Sequence, residues 1–178
     1  MQNCVSSVKP NLTGPVNSTE LMSISRNLGL SIIVMALVVG IDQLTKHLVR
    51  TYLSFTDAIP SQGFFQIIHT QNTGAAFSIF QNSIPVLIVT SSIALIVIVW
   101  VALSHQFGFL ENTWGRIGLG LAAGGTAGNL IDRAYYGFVT DFLKAGPWPA
   151  FNVADSAVVV GMILIVFLYL RSGQAAGH

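Results

Sequence analysis

The chain has 178 residues, of which 52% are hydrophobic and only 8% are Asp, Glu, Lys or Arg, with a mean hydropathy of +0.67. A soluble domain carries about a quarter of its residues charged, so this composition argues against a water-soluble globule and for one compact unit whose helices lie in lipid. A net charge of +1 with no basic cluster gives no electrostatic footprint for nucleic acid, and the single cysteine, Cys4, allows neither an internal disulfide nor a cysteine-built metal cluster.

Residues 1–27 are polar and rich in Asn, Ser, Thr and Pro, and read as a loosely ordered extension. The apolar run behind them is too long for a signal-peptide core and lacks a small-residue cleavage pattern. That run, residues 28–49, is the first of four apolar segments; the others are 84–103, 117–135 and 152–170, and residues 172–178 form a tail. Each segment is near the ~20 residues that a helix needs to cross the hydrocarbon. An even number of crossings puts both termini on one side, and Lys9, Arg26, Arg116 and Arg171 there, against Arg50 and Lys144 opposite, favour a cytoplasmic side. Between the first and second segments, 64–69 and 76–80 are short apolar-rich runs around Thr-Gln-Asn-Thr-Gly, expected to form a strand pair at the membrane surface. Residues 137–151 predict a short extended piece and then a rigid Gly-Pro-Trp-Pro turn, with Trp148 suited to the interface.

The acids are the informative residues. An ionisable group at bilayer depth costs roughly 2.5 to 3.5 kcal/mol, which makes each of Asp42, Asp132, Asp141 and Asp155 a functional-site hypothesis. Asp42 and Lys46 stand at i, i+4, the spacing of an ion pair that makes two buried charges tolerable and can also tie the first helix to a site. Gly120, Gly124 and Gly128, with Gly125 beside them, form a small-residue ridge suited to close helix packing. Beyond the ridge, Asn129, Asp132 and Arg133 end the third segment, either organising a site or anchoring the helix at the interface. Asn152 to Asp155 fits a helix capping box, which accounts for Asp155 without chemistry; it does not account for Asp141, embedded in Val-Thr-Asp-Phe-Leu.

A bend through Gly146, Pro147 and Pro149 would let Asp141 and Asp155 meet. At ~4 Å and an effective dielectric near 20, two carboxylates repel by about 4 kcal/mol, roughly 3 pKa units. One then keeps a proton while the other is ionised, a pair able to activate water and protonate a leaving nitrogen.

Rival chemistries lack parts. The histidines are scattered, with no H-E-x-x-H pair, Gly-x-Ser-x-Gly is absent, and His69 reads as a polar strand residue rather than a ligand. Gly124-Gly125-Thr126 opens no phosphate loop. No metal or cofactor is called for. A proton-coupled transporter would spread its acids through the bilayer depth, and a non-catalytic assembly subunit would use the glycine ridge alone. A type IV prepilin peptidase would need a Gly-x-Gly-Asp motif, which is missing.

Four blocks carry a resemblance: Asn72-Thr73-Gly74-Ala75-Ala76-Phe77-Ser78; Gly124-Gly125-Thr126-Ala127-Gly128-Asn129-Leu130-Ile131-Asp132-Arg133; Gly137-Phe138-Val139-Thr140-Asp141-Phe142; and Trp148-Pro149-Ala150-Phe151-Asn152-Val153-Ala154-Asp155. With Asp42 and Lys46 before them, they resemble the bacterial lipoprotein signal peptidases (signal peptidase II), in order and spacing, over residues 28–171. Thr140 departs mildly, standing where that family often has an aliphatic residue. The resemblance implies a membrane α-helical fold of four transmembrane helices with a small extracytoplasmic β-cradle and a short covering helix or loop. It implies Asp141 and Asp155 as an aspartic dyad, with Asp42, Lys46, Asn72, Gly74, Asn129, Asp132, Arg133, Asn152 and Ala154 supporting it or touching substrate. It further implies a diacylglyceryl-modified prolipoprotein as substrate, cut before its lipidated cysteine. The expected setting is the bacterial cytoplasmic (inner) membrane, where the chain would act as a monomer among lipids with its site facing outward. Phe64, Phe65, Phe77 and Phe80 would offer an apolar surface to the acyl chains or pack at the interface.

Overall fold

The computed structural model describes residues 18–55, 57–74 and 83–175. Four helices, α1 (Ser18–Tyr52), α2 (Ile84–Ser104), α3 (Thr113–Tyr136) and α4 (Val153–Ala175), stand with three strands, β1 (Ala58–Ile59), β2 (Phe65–Asn72) and β3 (Val139–Ala145). A single 3₁₀ turn, Gly108–Leu110, joins α2 to α3. Three stretches are long and apolar enough to cross a membrane: Leu28–Tyr52, Ile84–Ser104 and Val153–Gly173. The third expected segment is helical, but α3 lies outside that group because glycines and polar residues fill it.

Side-chain burial is inverted relative to a soluble protein. Ile33, Leu37, Ile96, Ile163 and Phe167 are exposed, while Asp42, Lys46, Asp132 and Arg116 are fully buried. A hydrocarbon solvent selects this distribution, since apolar surface loses nothing there and polar groups must find partners inside.

The glycines explain how α3 becomes the central helix. A Cβ on Gly120 would lie 2.7 Å from the Ser31 carbonyl oxygen, and one on Gly124 would lie 2.8 Å from Cβ of Val38, both on α1. A Cβ on Gly125 would lie 2.3 Å from the Ala154 carbonyl oxygen of α4. The ridge expected for packing thus faces α1, and Gly125 opens a second contact toward α4. At the α2–α3 end, buried Arg116 donates to the Ala102 carbonyl at 2.7 Å and pairs with Glu111, tying the two helices together.

Local chemistry sets the ends. Asn112 caps α3 by accepting from the Gly115 amide at 3.0 Å. Gly137, at φ 75, ends α3 in the left-handed conformation that glycine adopts without strain, and its N–H returns to the Arg133 carbonyl. Helix α1 begins at Ser18 rather than residue 28. Residues 18–27 hold no proline or glycine, and adding turns to an existing helix is easy compared with nucleating one. The remainder of the expected extension, residues 1–17 with Cys4 and Lys9, lies outside the described residues.

The sheet is antiparallel in the order β1-β2-β3. Strand β2, which takes in most of the expected run 64–69, pairs Ala58↔Ile68 on one side and Thr70↔Asp141, Gln71↔Thr140 and Asn72↔Val139 on the other. Thr70, Gln71 and Asn72, expected in a turn, are strand residues, because cross-strand bonds to β3 outweigh their local turn preference. The run 76–80, with Phe77 and Phe80, lies outside the described residues. Among the described residues no separate covering helix stands over the sheet. His69 is a strand residue as expected; its Nδ1 bonds the Leu53 carbonyl at 2.8 Å and its ring stacks on Phe55, fastening the sheet to the end of α1.

Candidate active site

The end of α1, the end of α3, the start of α4 and strand β3 converge at one end of the bundle, and the polar residues collect there. Asp141 comes from β3 and is nearly buried, 3% exposed. Its Oδ2 accepts from Asn72 Nδ2 at 2.9 Å and its Oδ1 from Asn152 Nδ2 at 2.7 Å. Asn72 is held in that pose because its own Oδ1 accepts from the Gly74 amide at 2.9 Å. Burial, and then the charge of nearby Asp155, push the Asp141 carboxyl up to about 6, against the opposing effect of the two asparagine donors.

Asp155 sits in the first turn of α4. The capping box is present: Asn152 Oδ1 accepts the Asp155 amide at 2.9 Å, and Asp155 Oδ2 accepts the Asn152 amide at 3.2 Å. That box uses only one carboxylate oxygen. The other, Oδ1, accepts from Asn129 Nδ2 at 2.8 Å. Asn152 therefore touches both carboxylates, one through its side chain and one through its backbone. Asp141 and Asp155 line the same cavity, about 900 Å³, which runs between α2, α3 and α4 past Ser91, Asn129 and Arg133. The Arg133 Nε is buried there without a hydrogen-bond partner among the described residues.

Beneath the pair lies a buried charge network. Lys46 Nζ is 2.8 Å from Asp42 and 3.4 Å from Asp132, and donates to Asn129 Oδ1 at 3.0 Å. Lys46 thus fixes the amide whose other end holds Asp155. Asp42 in turn accepts the Ala154 amide at 2.9 Å, its second oxygen anchoring a buried N–H that the first turn of α4 leaves without a helical partner. Asp42, Lys46, Asn72, Gly74, Asn129, Asp132, Arg133, Asn152 and Ala154 thus lie in this cluster or at its rim.

Three further residues join it. Gln43 Nε2 donates to Asp42 at 3.2 Å, to the Gly128 carbonyl at 3.1 Å and to Asp132 at 3.2 Å. Arg50 lies 3.5 Å from Asp132 and donates to Thr140 Oγ1 at 2.9 Å. The periodicity held a signal for Arg50, since 42, 46 and 50 share one helix face. Gln43 carried only the weaker signal of a polar side chain within an apolar run.

Known proteins resemble this chain in sequence and in fold. The family model described as signal peptidase (SPase) II matches residues 34–171. A lipoprotein signal peptidase of Dehalococcoides mccartyi is 44% identical over 137 residues, covering 76% of this chain and 86% of that protein. One from Solibacter usitatus is 40% identical over 157 residues, covering 82% and 93%. A bacterial membrane enzyme solved by the in meso method at 2.3 Å superposes with a TM-score of 0.74 at 32% identity, covering 83% of this chain and 91% of that one. With matches that span the bundle and the polar cluster alike, the chain belongs to the signal peptidase II family and is a membrane peptidase.

Proposed function

We propose that this peptidase removes signal peptides from prolipoproteins by hydrolysing the amide on the N-terminal side of a diacylglyceryl-modified cysteine, with Asp141 and Asp155 as the catalytic pair. The observation that carries the proposal is the shared cavity: two carboxyl groups line it, each held by asparagine donors, and Asn152 bonds to both. Fixed acids beside a largely apolar channel suit a peptide delivered from lipid.

The pair shares one proton up to about pH 6, where the elevated Asp141 carboxyl gives it up. The ionised member takes a proton from water as its oxygen attacks the amide carbonyl. The protonated member hydrogen-bonds the carbonyl oxygen as it gains negative charge. Collapse of the tetrahedral adduct breaks the C–N bond, the leaving nitrogen receives a proton from the pair, and the products are a carboxyl terminus and a free amine on the cysteine. Lys46, Asp42 and Asp132 act through Asn129 and the Ala154 amide, holding the groups in place rather than reacting. Arg133 lines the cavity with an Nε that has no hydrogen-bond partner among the described residues, and is suited to donate to a substrate carbonyl.

In this reading α3 is the fourth membrane-crossing helix, shielded by α1, α2 and α4, and the site opens on the extracytoplasmic side of a bacterial cytoplasmic membrane with cytoplasmic termini. The diacylglyceryl group keeps the scissile bond at that depth, lipid partition adding about 0.8 kcal/mol per buried methylene. A second cleft of about 530 Å³, between β2 and the β3–α4 turn, also reaches Asp141 and gives the mature segment a path away from the bilayer. The rival reading, a proton relay, would distribute its acids through the bilayer, whereas these gather at one end.

The test is mass spectrometry of a precursor peptide incubated with the purified protein. The expected product begins at the lipidated cysteine, and the unlipidated peptide stays intact. Cleavage at another bond, or equal cleavage without the lipid, contradicts the assignment.

A further inference from the structure

We propose that Arg50 and Thr140 are positioning residues for the peptidase reaction, forming a buried latch that holds the start of the strand carrying Asp141 against α1 and α3. The proposal rests on the reading of Asp141 as a catalytic group.

Thr140 is fully buried and immediately precedes Asp141. Each of its polar groups is engaged. Oγ1 accepts from Arg50 Nη1 at 2.9 Å, the amide donates to Asp132 Oδ2 at 3.0 Å, and the carbonyl oxygen accepts from Asn152 Nδ2 at 3.5 Å. Arg50 is itself fixed on two other sides: Nη1 lies 3.5 Å from Asp132 Oδ1, and its guanidinium carbon lies 4.3 Å above the ring of Tyr136. A guanidinium from the last turns of α1, stacked on the end of α3, thus clamps one strand residue.

A hydroxyl at a fully buried position is costly unless it is bonded, and valine would fill the same β-branched shape without that burden. The hydroxyl's use is therefore its bond. The planar peptide linking Thr140 to Asp141 passes any slip of the clamped residue to the next Cα. The Asp141 carboxylate cannot absorb such a slip, since Asn72 and Asn152 hold its two oxygens from opposite sides at 2.9 and 2.7 Å. Neither Arg50 nor Thr140 touches the reacting atoms in the hydrolysis, so they act by placing Asp141, with Asp132 and Asn152 as their shared neighbours.

The experiment measures kcat and KM on a lipidated precursor peptide with full-length purified variants. Thr140→Val is expected to lower kcat about tenfold, with KM changed by less than roughly twofold, because placement and not binding is lost. Thr140→Ser, which keeps the hydroxyl, should return to within about threefold of wild type. Arg50→Met, which leaves Thr140 in place, should also lower kcat at unchanged KM. Adding Thr140→Val to it should then cost less than about twofold more, since the shared bond is already gone. Wild-type kcat in Thr140→Val, equal impairment of the serine variant, or multiplicative losses in the double variant would each overturn the latch. If Thr140→Val does not fold, the Arg50→Met split decides alone: lowered kcat at constant KM upholds the latch, and wild-type kcat overturns it. Asp141→Asn run alongside separates the two layers. Cleavage surviving there rejects the catalytic pair, whereas its loss beside an active Thr140→Val rejects the latch only.

Discussion

Replacing Gly125 with alanine tests how closely the chemistry depends on helix packing. The added Cβ would lie 2.3 Å from the Ala154 carbonyl oxygen, 2.7 Å from Cγ2 of Val158 and 3.0 Å from the Val158 amide nitrogen. Real Cβ contacts essentially never fall below 3.0 Å, and the nearest neighbour is backbone, so α3 and α4 must separate by at least 3.0 − 2.3 = 0.7 Å. One turn along α3, Asn129 holds Asp155 at 2.8 Å, and a shift of that size takes this bond to the limit of hydrogen-bonding distance. Overpacking costs on the order of 1–3 kcal/mol, and a 1 Å misplacement of reacting groups costs about 100-fold in rate. We expect Gly125→Ala to remain folded in detergent while its cleavage of a lipidated precursor falls between about 10- and 100-fold. Gly40→Ala is the control: nothing lies within 4 Å of its Cβ, so activity should match wild type. A fully active Gly125→Ala, or equal losses in both variants, would refute the reasoning.

Lys46 is fully buried between Asp42 and Asp132. Lys46→Met leaves these carboxylates without their shared cation and should destabilise the fold by about 3–5 kcal/mol in a denaturation titration, with Asp42→Asn/Lys46→Met recovering part of the loss. Unchanged stability in the single variant would contradict the network. The elevated Asp141 carboxyl gives a pH dependence whose sign is fixed. Above about 6 the pair loses its one proton, so kcat/KM should decline as pH rises through that value. Because the Asp155 charge contributes to the elevation, Asp155→Asn should make Asp141 ionise at lower pH, read by its infrared carboxyl band; an unchanged or higher value would contradict the coupling.

Much of this protein was legible in its sequence, for physical reasons. Charges are so costly in lipid that Asp42, Lys46, Asp132, Asp141 and Asp155 stood out, and the structure gathers all five at one end of the bundle. The helices followed from apolar length, and the Gly120, Gly124, Gly128 ridge from the need for close packing. Asp155 shows that a bland explanation and a functional one need not compete, since one of its oxygens serves the cap and the other meets Asn129. The pairing of β2 with β3 was illegible because register depends on partners 67 or more residues apart, which local turn composition does not encode. Gln43, Arg50 and Thr140 were passed over as site residues for a related reason: their partners lie on other elements, and a polar residue's role is set by what the fold brings to it.

The central claim is tested most directly by substituting each member of the pair. Asp141→Asn and Asp155→Asn preserve size and much of the hydrogen bonding, and each, purified and shown to be folded, can be given the lipidated precursor peptide. The expected result is loss of cleavage in both variants, with the substrate still bound; turnover near the wild-type rate by either folded variant would contradict the mechanism.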